Sequence, residues 1–185
     1  MSIYISILRG INVSGQKKIL MADLKKLFED LKFSNVVTYI QSGNVAFNTN
    51  KKQSNAALAT QIEKAIAKQY SFEVPVIVRS AEEIAFVLNN NPFLKDAKKN
   101  KAILLDKLHV TFLAEIPEQK NIDAISSFVF KSDEFYIINQ EVYLYTPGGY
   151  GETKLSNIFF ESKLKVKATT RNWNTVNKLV ELSQN

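Results

Sequence analysis

The sequence contains no cysteine and a single histidine among its 185 residues. Without cysteine the chain has no disulfide framework, no thiolate nucleophile and no cysteine-ligated zinc. The one histidine, His109, lies in a short run of strand-forming residues, and we interpret it as structural. A nucleophile elbow of Gly-x-Ser-x-Gly form and a phosphate loop of the nucleotide-triphosphatase type are also missing. The sequence therefore predicts no metal site and no cofactor, and it assigns no catalytic residue.

Long hydrophobic runs are absent as well. No stretch approaches the roughly 20 apolar residues that a membrane-spanning helix needs. The first nine residues, MSIYISILR, lack the basic start of a signal peptide, and Arg9 ends their apolar run early. We therefore expect a cytosolic protein without a membrane partner.

Positive charge is in excess, with a formal net charge of +6 and a pI near 9.3. A basic balance favours polyanionic partners such as phosphate groups or nucleic acid. The lysines are spread along the chain, however. The densest group is interpreted as a solvated loop, and it consists of Lys95, Lys98, Lys99 and Lys101.

Strand and helix patterns alternate in the order βαββαβ over residues 1–80. Residues 3–8, 36–40, 44–47 and 74–78 are rich in β-branched and aromatic side chains. Apolar residues recur at helical spacing over residues 21–31 and 58–70. This order predicts a ferredoxin-like domain, in which a four-stranded antiparallel sheet has two helices on one face and the first strand pairs with the third.

The remainder of the chain repeats this order less completely. Residues 81–106 are predicted to be a connector with a short helix and the lysine-rich loop. Residues 107–185 are predicted to be a second α+β domain, with a strand at 108–113, a helix around 122–129, a hairpin at 135–145, a helix around 155–159, a short strand at 166–169 and a C-terminal helix that carries Trp173. The predicted fold class is therefore α+β, with a ferredoxin-like N-terminal half followed by a degenerate βαββα(β) half.

Three segments have unusual compositions: residues 9–15 (RGINVSG), 38–45 (TYIQSGNV) and 168–176 (ATTRNWNTV). Together with Asn91-Pro92-Phe93 and Lys154-Leu155, they resemble the bacterial family catalogued as domain of unknown function 1697. The resemblance runs from Tyr4 to Leu179. It implies an α+β fold and a bacterial cytosolic protein, and it implies no activity.

Three positions depart from the family pattern. Ser14, Lys32 and Lys165 stand where the family commonly has glycine. All three lie at predicted turns, so the departure concerns the local backbone shape.

Two polar loops should meet in the first half. In a ferredoxin-like unit, the loop after strand one and the hairpin between strands two and three lie at the same end of the sheet. Strands about 4.8 Å apart would let side chains from both loops share one ligand. Arg9 can hold a phosphate or carboxylate through two parallel hydrogen bonds, and the nearby glycines suit an anion nest. The candidate residues are Arg9, Asn12, Gln41, Ser42 and Asn44. The alternative is that the amides and hydroxyls only satisfy turns and that Arg9 pairs with a local carboxylate.

A similar group is predicted in the second half, where a glycine-rich loop at residues 148–154 precedes a helix and residues 169–174 open the last helix. The candidate residues there are Lys154, Arg171, Asn172 and Asn174. The alternative is helix capping by Thr170 or Asn172, with Trp173 as a core anchor.

Two functions follow as hypotheses. In the first, both groups line one anion-attracting cleft between the halves, which binds or processes a small phosphate- or carboxylate-bearing ligand such as a nucleotide. In the second, the chain is a non-catalytic module for RNA, single-stranded DNA or a protein partner. Stacking of RNA on the first sheet is disfavoured, because the outward positions of its third strand, Asn44 and Ala46, offer no aromatic ring.

Overall fold

The computed structural model describes residues 1–95, 103–128, 130 and 132–184. Lys98, Lys99 and Lys101 of the predicted lysine-rich loop, and Val129 of a predicted helix, lie outside the described residues. The chain divides into two compact units. Unit 1 comprises Met1–Ala85 and Leu179–Asn185, and unit 2 comprises Phe86–Lys178.

Unit 1 contains β1 (Ser2–Leu8), α1 (Met21–Asp30), β2 (Ser34–Tyr39), β3 (Asn44–Thr49), α2 (Asn55–Tyr70) and β4 (Val76–Ser80). Its sheet is antiparallel with the strand order β2-β3-β1-β4. β1 lies inside the sheet, where Ile5 is opposite Ala46 of β3. The predicted βαββαβ unit is therefore confirmed, including the pairing of its first and third strands.

One core of unit 1 lies between the sheet and its two helices. Leu24 and Phe28 of α1 and Ile62 of α2 are fully buried against alternate residues of the strands, such as Val45 and Phe47. This alternation follows from the period of two along a strand and from the three-to-four-residue spacing along a helix.

The chain continues with α3 (Ala81–Asn89), α4 (Pro92–Lys95) and a short 3₁₀ turn (Leu105–Lys107). It then forms β5 (Leu108–Leu113), α5 (Gln119–Ser126), β6 (Glu134–Ile138), β7 (Glu141–Tyr145), α6 (Asn157–Leu164), β8 (Ala168–Asn172) and α7 (Trp173–Leu182). The second sheet has the order β6-β7-β5-β8, which is the order of the first sheet shifted by four strands. The second half is thus a complete βαββαβ unit, and the α+β fold class is confirmed.

The end of β8 differs from the prediction. Residues 169–174 were expected to open the last helix, but residues 169–172 belong to the strand, and α7 begins at Trp173. Thr170 lies opposite Thr111 of β5, and Arg171 lies opposite Val110. The β-branched threonines favour the extended ladder over a helical start.

In each unit, the sheet face opposite the core with its two helices is buried too. Ile5, Ile7 and Ala46 in unit 1 are at most 3% exposed, and Val110 and Phe112 in unit 2 are fully buried. Bases therefore have no room to stack on this face of the first sheet.

The three positions that lack the family's glycine keep a glycine-like backbone. Ser14, Lys32 and Lys165 have φ angles of 50°, 66° and 62°. These values lie in the left-handed region, which costs an ordinary residue about 1 to 2 kcal/mol. The turn is therefore retained while a residue with a Cβ bears the strain. Among the described residues, no helix is long and apolar enough to cross a membrane.

Candidate functional site

The two polar loops of unit 1 meet as the topology predicts. Asn12 donates hydrogen bonds from Nδ2 to the carbonyls of Gln41 and Ile19, both at 2.9 Å. Its Oδ1 accepts from the N–H of Ile19 at 2.9 Å. The N–H of Leu8 also donates to the carbonyl of Gly43 at 2.8 Å. Asn12 therefore ties the loop that follows β1 to the β2–β3 hairpin.

Asn44 holds the hairpin itself. It is fully buried, and its Nδ2 donates to the carbonyl of Tyr39 at 3.2 Å and to Oγ of Ser42 at 3.1 Å. Arg9 is half-buried and Gln41 is exposed. Asn12 and Asn44 thus have a structural role, because their hydrogen bonds stabilise the two loops. Ligand binding by the predicted site residues of unit 1 stays a prediction.

The loop over residues 9–20 is strongly basic. It holds Arg9, Lys17 and Lys18 and no aspartate or glutamate. Lys17 donates from Nζ to the carbonyl of Glu73 at 2.7 Å, whereas Lys18 is exposed. The loop presents positive charge without a carboxylate of its own.

A hydrogen-bond network in unit 2 joins the glycine-rich loop to β8. Tyr150 donates from its hydroxyl to Oγ1 of Thr170 at 3.0 Å. Thr170 donates in turn to Oδ1 of Asn157 at 2.7 Å. Its hydroxyl also lies 2.7 Å from that of Thr111. Since Thr170 has one proton and gives it to Asn157, Thr111 is the donor in the last contact.

His109 borders this network. Its ring stacks on Tyr150 with centroids 4.8 Å apart and planes 25° apart. Burial lowers the pKa of the His109 imidazole, although the carbonyl of Lys107 near Nδ1 opposes the change. The stacked, neutral ring fits the structural role predicted for this residue.

Arg171 is a buried cation. Its Nη1 donates to Oγ1 of Thr169 at 3.1 Å and to the carbonyl of Thr170 at 3.0 Å. Burial lowers the pKa of its guanidinium to about 10, so the group stays charged at neutral pH. Asn172 caps α7, because its Oδ1 accepts from the N–H of Thr175 at 2.8 Å. Asn174 is exposed.

Arg79 is a counterpart of Arg171 that the sequence reasoning missed. Arg79 belongs to β4 and lies opposite Ile5 of β1. In the same way, Arg171 belongs to β8 and lies opposite Val110 of β5. Arg79 is 2% exposed, and its Nη1 donates to the carbonyl of Val78 at 3.0 Å. An arginine that directly follows three apolar strand residues was the signal in the sequence.

A cavity of about 410 Å³ opens beside the glycine-rich loop of unit 2. Its wall is formed by Phe130, Ser132, Asp133, Gly148, Gly149, Glu152, Thr153 and Lys154. Thr153 donates from Oγ1 to Oδ2 of Asp133 at 2.5 Å. Of the predicted site residues, Lys154 reaches this cavity. The contributions of Phe130 and Asp133 were not predicted, because these residues precede β6 and no local motif links them to the loop.

At Gly148, neither a left-handed φ nor close packing requires a glycine. Its φ is not in the left-handed region, and a Cβ built on it would meet no atom within 4 Å. Gly149 differs, because its φ of +99° favours glycine. Gly148 thus leaves open space and accessible backbone at the wall of the cavity.

In the described part of the chain, no group of three or more histidine, aspartate or glutamate side chains is arranged to hold a metal ion. The two predicted groups of site residues lie in different units, and a single cleft shared by both stays a prediction.

Comparison with known proteins places the chain in a family. The model described as "Protein of unknown function (DUF1697)" matches residues 1–143, so the chain belongs to this family. The structure is also similar to that of the conserved bacterial protein SP0830 from Streptococcus pneumoniae, with a TM-score of 0.72, 24% sequence identity and 98% of each chain covered. A likeness at this identity shows the fold alone. The sequence matched none of the curated proteins.

Proposed function

We propose that this protein binds a small ligand carrying a phosphate or carboxylate group, and that the cavity beside Gly148 is the binding site. The observation that carries this proposal is the cavity's combination of a cation, Lys154, with Gly148, at which neither a left-handed φ nor close packing requires a glycine. Its volume falls within the roughly 300 to 1,000 Å³ of small-molecule sites. A missing Cβ at Gly148 lets a ligand approach the main chain closely.

The other wall residues narrow the class of ligand. Asp133 and Glu152 provide carboxylates, which accept hydrogen bonds from hydroxyl or amino groups. Phe130 provides an aromatic ring against which a flat group can stack. A bare inorganic anion would meet two negative charges for one positive charge. A ligand with an anionic end, hydrogen-bond donors and a flat body fits better, and a nucleoside monophosphate has all three.

Binding can be measured by thermal shift and calorimetry with nucleoside monophosphates, the matching nucleosides and inorganic phosphate. We expect the nucleotide to raise the melting temperature most, because a ligand stabilises the native state in proportion to RT ln(1 + [L]/Kd). Lys154→Gln should weaken the nucleotide more than the nucleoside, since only the former carries the anionic group.

Two glycines provide a matched pair of variants. Gly148→Leu fills the cavity wall, whereas Gly151→Leu adds the same side chain at a position that is also unstrained and open but does not line the cavity. The first variant should abolish binding and the second should retain it. Equal binding by both variants, or stabilisation by phosphate alone, would contradict the proposed site.

The basic loop at residues 9–20 favours a second candidate, a module for single-stranded nucleic acid. This loop carries three cations and no carboxylate. Gel shifts with oligonucleotides at two salt concentrations test it, because phosphate contacts give a steep loss of affinity with salt. A steep salt dependence that Lys18→Ala reduces, without any stabilisation by mononucleotides, would favour the module over the small-ligand site.

A further inference from the structure

β6 is an open edge of the second sheet. It is the first strand in the order β6-β7-β5-β8, and β7 is its only partner among the described strands. A two-residue turn, Asn139-Gln140, joins the two strands, so Ile138 and Glu141 form the hydrogen-bonded pair that closes the hairpin. Since such pairs alternate along an antiparallel ladder, the N–H and C=O groups of Phe135 and Ile137 point away from β7.

Three features that often protect an edge strand, namely proline, lysine and a break in register, do not occur in β6. Its sequence, EFYII, holds neither proline nor lysine, and its register with β7 is unbroken from Glu134 to Ile138. The topologically equivalent edge of unit 1 is different. β2 has a register shift between Ser34 and Val37, and Asn35 between them has a φ of 49°. That irregularity hinders pairing with a further strand, and β6 has no counterpart of it.

Grooves that contain exposed aromatic residues border β6 on both faces. On the helix-covered face, Phe135 and Ile137 line a groove with Phe128, which is 43% exposed. On the opposite face, Tyr136 and Ile138 line a groove with Phe86, which is 44% exposed. Large apolar groups clustered on one surface typically mark an interaction site. An added strand would place alternate side chains in the two grooves.

We propose that the occupant is the β6 strand of a second copy of this chain, paired antiparallel about a two-fold axis at Tyr136. Phe135 of each copy then lies opposite Ile137 of the other, and their outward backbone groups form hydrogen bonds across the axis. A two-fold interface requires that one surface match itself. The second sheets of the two copies, with four strands each, then form one continuous eight-stranded sheet. This proposal concerns a different surface from the cavity beside Gly148 and does not rest on ligand binding.

Complementary charges favour a second copy of this chain as the partner of β6. Glu134 shares a sheet face with Tyr136 and Ile138, because these residues alternate along β6. Lys95 lines the groove on that face beside Ile138. In the two-fold pairing, Glu134 of one copy lies opposite Ile138 of the other, at the groove that Ile138 and Lys95 of that copy line. The two Glu134 residues are separated by about 14 Å, four residues along the strands, so their repulsion is weak. Each copy thus supplies both members of a complementary pair.

The backbone prediction is tested with the full-length chain by analytical ultracentrifugation over a concentration series. Ile137→Pro and Ile137→Ala both remove the isoleucine side chain, but only proline also removes the outward N–H. The wild type and the alanine variant should form a concentration-dependent dimer, and the proline variant should be monomeric. Hydrogen exchange checks that β6 still pairs with β7 in the proline variant, through retained protection of the amides of Tyr136 and Tyr143.

The charge prediction is tested by reversing each partner. Glu134→Lys alone and Lys95→Glu alone should each raise the dimer dissociation constant roughly tenfold, since each places like charges together at two symmetric contacts. The double variant should return to near the wild-type constant. A wild-type chain that stays monomeric at every concentration overturns the proposal. It does so even if the monomer binds an extended peptide from another protein. A dimer that the proline variant leaves intact, or single reversals without restoration in the double variant, also overturns it.

Discussion

Gly43 occupies a position where any side chain should be harmful. It lies in the β2–β3 hairpin with a φ of +79°. A Cβ added there would come within 2.7 Å of Cδ1 of Ile11 and 2.8 Å of Cβ of Leu8, and both neighbours are buried. These separations are far below van der Waals contact, and the backbone N–H of Leu8 is also hydrogen-bonded to the carbonyl of Gly43. Gly43→Ala therefore forces either the hairpin or the β1 loop to move.

The size of the effect is the sum of three contributions. The left-handed backbone costs alanine about 1 to 2 kcal/mol, and overpacking at a buried contact costs about 1 to 3 kcal/mol. The smaller conformational freedom of the unfolded alanine chain returns about 0.4 to 1 kcal/mol. The free energy of unfolding should fall by about 1 to 4.6 kcal/mol, the upper part of which is a large fraction of the stability of a typical domain.

Gly10→Ala is the matched control. Gly10 also has a left-handed φ, of +69°, but a Cβ built on it meets no atom within 4 Å. Its substitution should lower stability by about 1 kcal/mol through backbone strain alone. The difference between the two variants, about 1 to 3 kcal/mol, isolates the steric overlap. Ile11→Val deletes Cδ1, the atom closest to the added Cβ. This substitution should therefore lower the free energy of unfolding less in the Gly43→Ala background than in the wild type.

Urea denaturation followed by far-ultraviolet circular dichroism is the appropriate assay. The only tryptophan, Trp173, lies in unit 2 and would not report directly on a hairpin of unit 1. Equal losses of stability for Gly43→Ala and Gly10→Ala would refute the reasoning, because they would mean that the close packing of the hairpin on Ile11 and Leu8 contributes nothing.

Two further predictions concern single residues of unit 2. Burial lowers the pKa of His109 in the folded state, so the unfolded state binds the proton more readily. Stability should be highest above the unfolded pKa near 6.5 and fall as the pH drops below it. His109→Gln should remove this part of the pH dependence, as measured by thermal melts from about one pH unit above that pKa to about 1.5 units below it. Lys165 is the C-cap residue of α6 and has a left-handed φ of 62°. Because Lys165→Gly releases this backbone strain, it should raise the free energy of unfolding, measured by urea denaturation, by up to about 1 kcal/mol. Ser162→Gly, inside the same helix, should lower stability by a few tenths of a kcal/mol to about 1 kcal/mol, and a loss of stability in both variants would contradict the strain argument.

Local patterns in the sequence were sufficient for the order of elements and for one of the two loop contacts. Alternation of apolar residues in β1 and helical spacing in α1 depend on neighbours a few residues apart, so each segment carries its own signal. The ferredoxin-like order then brings the loop after β1 to the β2–β3 hairpin, as the contact of Asn12 with Gln41 confirms. Family membership followed from long motifs in the same way.

The tertiary structure decided what depends on residues distant in the chain. The cavity joins Phe130 and Asp133 to the glycine-rich loop, and no local pattern relates segments that are separated by β6 and β7. Burial of Arg79 and Arg171 depends on the surroundings of a whole sheet face, which strand propensity does not reveal. The strand that forms each sheet edge is likewise a property of the complete ladder. Sequence fixes the local conformations because they arise from short-range sterics and periodicity, whereas cavities, buried charges and open edges arise only when distant segments pack together.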